Sequence, residues 1–218
     1  GLGGGLALYE STALVRRNRI TQNNAVDAGG GLYLHHSNAS VQSNRVLTNT
    51  ASNYGGGLSI LGGAPLINAN LVRYNQAASG AGLDLKQTGG SYANNVVADN
   101  QTPGDGAAIY ARGTTAHLLH NTIARNSGGS GIYVTDHTGI VSALVMTNTI
   151  MAEHSIGIDG TAGNTLAAHT LLWHNTPVTV PVEFADFVTL LNDWTADPRF
   201  AADGYHLRIG SPAIDAQV

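Results

Sequence analysis

Apolar residues recur along this chain in two fixed frames. The first is an apolar pair one residue apart, usually behind glycine: Leu6/Leu8, Leu32/Leu34, Leu58/Ile60, Leu83/Leu85, Ile109/Ala111, Ile132/Val134 and, more weakly, Ile156/Ile158. The second is Asn-x-apolar-x-x-Asn: Asn18/Ile20/Asn23, Asn44/Val46/Asn49, Asn70/Val72/Asn75, Asn95/Val97/Asn100 and Asn121/Ile123/Asn126. That series continues at Asn148/Ile150, with Glu153 in place of the second Asn, and closes at Thr170/Leu172/Asn175. Its first positions advance by 25 to 27 residues until a shorter last step. Two independent frames in step at such a period mark a solenoid. No window shows a helical period over ten residues, which excludes leucine-rich and helical repeats.

The pattern predicts coils of three short strands. In the second repeat these are Leu32 to His35, Ser40 to Ser43 and Arg45 to Leu47, with Thr50 to Gly56 leading into the next coil. Alternation along a strand puts Leu32, Leu34, Val41 and Val46 inside and turns Tyr33 and His35 outward. The expected fold is all-β, a parallel β-helix of about seven coils over residues 1–176. A single coil cannot bury its apolar side alone, so the sequence repeats. The asparagines are expected to turn the corners in the left-handed region, and to hydrogen-bond to one another from coil to coil. Runs such as Gly29-Gly30-Gly31 precede no helix and are not phosphate loops. Past Thr176 the frames stop, and Pro177, Pro181 and Pro198 break the ladder. Residues 177–218 are expected to form an irregular cap of the same domain. Within it, 183–194 reads as a short helix or irregular lid, and Trp194, Phe200 and Ile214 are candidate plugs.

Composition narrows the partners. Only 11% of residues are charged, against 28 Gly, and the net charge is −4 with basic residues scattered singly. Such a surface offers no footprint for nucleic acid. No apolar run approaches the roughly 20 residues needed to span a bilayer as a helix, so membrane insertion is not expected. With no Cys, disulfides and zinc–thiolate sites are excluded. The chain opens inside its repeat and reads as a processed protein or excised piece, leaving an open first rung. That rung is expected to support end-to-end self-association through its strand edges.

The combination of Gly30-Gly31-Leu32 with Val46-x-x-Asn49 resembles the repeats of bacterial secreted right-handed parallel β-helix proteins, including the chlamydial polymorphic outer-membrane protein type. The tail Asp197-Pro198-Arg199-Phe200, Gly204-Tyr205-His206-Leu207 and Gly210-Ser211-Pro212-Ala213-Ile214-Asp215 is similar to the closing segment of bacterial choice-of-anchor surface proteins. The resemblance implies a right-handed helix, secreted or on the cell surface. It implies no single activity, because this architecture carries lyases, hydrolases, epimerases and adhesins.

Candidate chemistry lies on the outward face of the first strands, along which a glycan lies in enzymes of this fold. One column reads Ala7, Tyr33, Ser59, Asp84, Tyr110, Tyr133 and Asp159; its neighbour reads Tyr9, His35, Leu61, Lys86, Arg112 and Thr135. Candidate ligand-binding residues are Tyr33, His35, Asp84, Lys86, Tyr110, Arg112 and Tyr133: rings to stack sugars, and cations to hold acidic groups. Lys86, Arg112 and Asp84 are the catalytic candidates for a lyase, with a cation as base. A hydrolase would need two carboxylates about 5–9.5 Å apart, and Asp84 has none on adjacent rungs. The nine His have no converging spacing, and neither a metal nor a cofactor is expected. The leading reading is a non-catalytic surface or adhesion module that binds carbohydrate. The alternatives are a polysaccharide lyase or glycosidase acting on an acidic polysaccharide, and a purely structural spacer.

Overall fold

The computed structural model describes residues 1–175, 188–190 and 195–214. They form a parallel β-solenoid, with no helix among the described residues. Seven strands stack on the first face: Leu6–Tyr9, Leu32–His35, Leu58–Leu61, Leu83–Lys86, Ile109–Arg112, Ser130–Thr135 and Ile156–Gly160. Second and third faces follow in each coil, as in Ser40–Gln42 and Arg45–Leu47. In the last coils the two faces run together as Ala143–Ala152 and Thr165–Trp173. Every pairing between these strands is parallel and joins equivalent residues, for example Leu32 with Leu58 and Val46 with Val72.

The interior is a set of apolar columns. Leu32, Leu34, Val41 and Val46 are fully buried, and each stacks on its counterpart in the next coil. The final glycine of each run is required by close approach. A Cβ on Gly57 would lie 2.8 Å from Val72 Cγ1 and 2.6 Å from the Gly82 carbonyl oxygen. Gly55, two residues earlier, sits at φ +61, where a side chain would be strained.

The asparagines do a different job from the one their turn preference suggests. The left-handed residue is the one before each Asn: Arg17, Ser43, Ala69, Asn94 and His120 at one corner, and Gln22, Thr48, Tyr74, Asp99 and Arg125 at the next. The asparagines themselves point inward, with Asn44, Asn49, Asn70, Asn75, Asn95, Asn100, Asn121 and Asn126 all buried. Asn49 is typical. Its Oδ1 accepts from the amide nitrogen and Nδ2 of Asn23 at 3.0 and 2.9 Å, while its Nδ2 donates to Asn75 Oδ1 and the Ile20 carbonyl, both at 3.0 Å. All four side-chain hydrogen-bonding positions are used, which is what burying a primary amide demands. A third ladder, of hydroxyls ending in an amide, lines the first corner: Thr114 N–H donates to Ser142 Oγ, and Ser142 N–H to Asn164 Oδ1.

Two frames shift by small steps late in the chain. Ile132 pairs with Ile158 and Val134 with Gly160, so Ile156 and Ile158 are not the aligned pair. Likewise Ile123 pairs with Met151, which puts Thr149 and His154, rather than Asn148 and Glu153, in the ladder positions. Asn148 and Glu153 take the left-handed positions ahead of them. Thr170, Leu172 and Asn175 stand where the repeat places them.

The segment 195–214 lies along the third face. Phe200, Leu207 and Ala213 pack against Ala124, Ile150, Ala152, Leu171 and Trp173. Ile214 is 44% exposed, and Trp194 lies outside the described residues. Of the expected helix or lid at 183–194, Val188–Leu190 is a strand paired with Leu166–Ala168, and the rest lies outside the described residues.

Candidate functional site

The outward columns of the first face are in register as expected, from Ala7 through Tyr33, Ser59, Asp84, Tyr110 and Tyr133 to Asp159. They are not, however, a uniformly solvated wall. Tyr33, Ser59, Asp84 and Arg112 are 4, 2, 2 and 8% exposed. The chain entering each glycine run folds back over this face: a Cβ on Gly29 or Gly55 would lie 2.8 or 2.7 Å from the Cβ of Tyr33 or Ser59. The residues before those left-handed glycines stack in turn, Ala28 on Tyr54, Tyr54 on Ser79, with Asp105 one coil on. They wall one side of a groove whose floor is the strand face.

At the centre Asp84 and Arg112 close on each other. Arg112 Nη2 donates to Asp84 Oδ1 at 2.6 Å, and Ser59 Oγ donates to Asp84 Oδ2 at 2.9 Å. The guanidinium lies over the Tyr54 ring, 4.0 Å from its centroid, and 5.0 Å from that of Tyr110. The two rings are within 3° of parallel, 6.3 Å apart. Burial pushes the Asp84 carboxyl up from its ordinary range, while Arg112, Ser59 and Lys86 pull it down. Arg112 Nε is buried without a hydrogen-bond acceptor and faces aromatic carbon instead. The pair fastens the Tyr54 loop to the sheet. Two of the three expected catalytic groups, Arg112 and Asp84, are thus engaged with each other. Lys86, next to Arg112 in register, is half-buried.

Two clusters flank this core. Toward the first coil, Tyr9, Tyr33, His35 and His36 form an aromatic platform. The Tyr9 ring is 5.5 Å from His35 and 6.0 Å from Tyr33, Tyr33 and His35 stack at 27°, and His35 meets His36 edge-on at 4.5 Å. Tyr9 is 56% exposed, His36 exposed and His35 half-exposed, while Tyr33 is buried, so the platform meets solvent through Tyr9 and the two histidines. Toward the last coils, Tyr110 and Tyr133 lie 5.6 Å apart, beside Asp105 and Asp159. Burial first and the Asp159 charge second hold the Asp105 carboxyl above its usual range. Across the groove, His137 is held below its usual value by desolvation and then by Lys86 and Arg112.

The seven expected residues therefore divide: Asp84, Arg112 and Tyr110 meet at the centre, Lys86 stands next to Arg112 in register, Tyr133 adjoins Tyr110, and Tyr33 with His35 belongs to the separate platform. Tyr54 and Asp105 escape a reading of strand alternation because they stand in the loop. Their signal is that the position before each left-handed glycine changes freely, from Ala28 to Tyr54, Ser79 and Asp105. Among the described residues no three His, Asp or Glu side chains converge on a cation position, and no helix is long and apolar enough to cross a membrane.

Neither a search of curated proteins nor one of solved structures finds a match to this chain. The family model described as right handed beta helix region matches residues 1–150. With six of the seven parallel first-face strands and two inward asparagine ladders within that stretch, the chain belongs to the right-handed β-helix family.

Proposed function

We propose that this chain is a non-catalytic, extracellular surface module that binds carbohydrate along its first face. One observation carries the reading: the charged pair at the centre of the groove is buried and satisfied, while toward the first coil Tyr9 and His36 are exposed and His35 half-exposed. Tyr9, His35 and His36 offer ring faces of the kind on which the apolar side of a pyranose rests, and the buried Tyr33 packs against Tyr9 and His35. Lys86 lies farther along the groove, where it would attract an acidic sugar. Secretion or surface placement is part of this proposal and draws on the sequence resemblance.

The test is a glycan array followed by calorimetry on the best binder. Tyr9→Ala and His35→Ala are expected to weaken binding about two- to tenfold each, the scale of one lost ring contact. Lys86→Ala should weaken acidic glycans and spare neutral ones. If no glycan binds, the chain is a structural spacer instead.

The Asp105 and Asp159 carboxylates beside Tyr133 favour one second reading, a glycosidase. A carboxyl pushed above its usual range by burial and by a neighbouring Asp is an arrangement that glycoside hydrolysis uses. Release of reducing ends from a polysaccharide, lost in Asp105→Asn and in Asp159→Asn alike, would replace the first reading with this one.

A further inference from the structure

The second asparagine ladder runs with one polarity through five coils. Each amide Nδ2 donates to the Oδ1 of the next member, from Asn23 through Asn49, Asn75 and Asn100 to Asn126. The sixth member is His154, 3% exposed, and the seventh is Asn175. Asn126 Nδ2 stands 3.2 Å from His154 Nε2, and His154 Nδ1 stands 2.8 Å from Asn175 Oδ1. The polarity fixes the proton. Asn126 Nδ2 gives one hydrogen to the Val97 carbonyl and turns the other toward the Ala124 carbonyl and Nε2, each at 3.2 Å, so Nε2 faces a donor and accepts; Asn175 presents an acceptor, so Nδ1 carries the hydrogen. Only the neutral imidazole meets both demands.

We propose that His154 makes the C-terminal end of the solenoid an acid-released unit, in which protonation breaks one rung and opens the last coil while the coils before it stay closed. A protonated ring carries N–H on both nitrogens and sets a donor against a donor at Asn126. Turning the Asn126 amide over does not repair the rung, because its Oδ1 already accepts from Asn100 Nδ2 and the Asn100 amide nitrogen. The reversal would have to run the length of the ladder. Nor is there room for the ring to swing away: a Cβ on Gly131 would lie 2.8 Å from His154 Cδ2 and 2.7 Å from Met151 Cε.

Nothing nearby welcomes the charge. The titratable groups around His154 are Arg125, Glu153 and His174, each in the left-handed position ahead of a ladder residue. Glu153 and His174 are exposed, and Arg125 is held by Asp99 at 2.8 Å. The contact from the first-face strand is Gly131, and those along the ladder are Asn126 and Asn175, none of them titratable. Desolvation accordingly lowers the His154 value to about 4, with Arg125 adding to it and the Asn175 bond opposing.

The sign follows from proton counting. In the opened coil the ring regains its ordinary affinity, near 6.5, so the open form binds more protons between that value and about 4. Closure is fully favoured above pH 6.5 and is lost as pH falls. From pH 7 to 4.5 the opening constant should rise on the order of 50-fold.

Hydrogen exchange of the full chain, corrected for intrinsic rates, should show that loss of protection over 156–175, with little change over 32–100. His154→Asn, which restores an ordinary ladder member, should abolish most of the acid response. An equal acid response in His154→Asn, or unchanged protection of 156–175 in the unaltered chain at pH 4.5, overturns the proposal. Should the variant fail to fold, the imidazole nitrogen NMR shifts of the unaltered chain decide: an Nδ1–H tautomer at pH 7 supports it, and an Nε2–H tautomer or an imidazolium overturns it.

Discussion

At the scale of the residue, the repeat separates two tasks, turning the corner and filling the ladder, between neighbouring residues. Thr48 takes the corner at φ 56, and Asn49 fills the ladder. Opposite effects follow from substituting the same residue at neighbouring positions. Thr48→Gly should stabilise the chain by about 0.5–1 kcal/mol, because a β-branched residue in the left-handed region is strained. Asn49→Gly should cost about 3 kcal/mol or more, since Asn23 loses its acceptor and the Ile20 carbonyl its donor inside the core. Urea denaturation of both variants checks the pair; if Asn49→Gly were tolerated and Thr48→Gly harmful, the assignment would be reversed. The sequence shows that an Asn recurs at each corner and that such ladders form. It does not show which neighbour turns, because residues as different as Arg17, Thr48, Tyr74 and Asp99 occupy the left-handed position. Steric demand there is met by the backbone and leaves no consensus side chain.

The Asp84–Arg112 pair belongs to the same scale. Its two members stand on adjacent coils and are buried by a loop, so removing one leaves the other uncompensated. Arg112→Ala should destabilise the chain by about 3–5 kcal/mol, whereas the double replacement Asp84→Asn with Arg112→Met should recover most of that loss. Thermal or urea unfolding of the single and double variants measures it, and additive losses would show that the pair is not coupled. From the sequence both residues read as solvated strand positions, since period-two alternation marks them outward. What alternation cannot show is a second layer over that outward face, here supplied by Tyr54 from a loop with no periodicity of its own.

At the scale of the element, the informative contrast is between the solenoid faces and the segment 195–214. Outward positions on the third face carry Arg19, Arg45 and Arg73 in the first three coils, beside Leu47 and Leu71, and no charge from Val96 onward, where Ala124, Ile150, Ala152 and Leu171 stand. That change is visible in the sequence and marks where Phe200, Leu207 and Ala213 rest. A polar clasp adjoins it. Asp99 pairs with both Arg73 and Arg125, the Arg73 guanidinium lies between the rings of Tyr74 and Tyr205 at 4.6 and 4.7 Å, and Arg125 Nη1 donates to the Gly204 carbonyl. Asp99→Ala leaves two arginines without their shared partner and should loosen the segment. Limited proteolysis within 195–214 is expected to accelerate several-fold, with a stability loss of about 1–2 kcal/mol for a clasp that is partly solvated. An unchanged cleavage rate would mean that the apolar contacts alone hold the segment.

At the scale of the whole molecule, a solenoid is a one-dimensional stack whose stability is a sum over neighbouring coils, so its ends govern its behaviour. The first coil is visibly less finished than the interior. Leu6, Leu8 and Ile20 are only partly buried against the core, Leu14 is 61% exposed, and a shallow cavity of about 440 Å³ opens among Leu6, Val15, Asn18, Ile20 and Asn23. The outer edges of Leu6–Tyr9, Leu14–Arg16 and Arg19–Thr21 have no strand beyond them among the described residues. Unpaired edges with apolar side chains beneath them recruit another chain. The chain as it stands is therefore expected to associate through this end, with light scattering that rises with protein concentration. Ile20→Lys, which places a charge in the cavity without touching the groove of the first face, should suppress that rise and leave glycan binding as it was. A strict monomer at every concentration, or an unaltered rise in Ile20→Lys, would show that the first coil is closed by its own contacts and that the edge is not an interface.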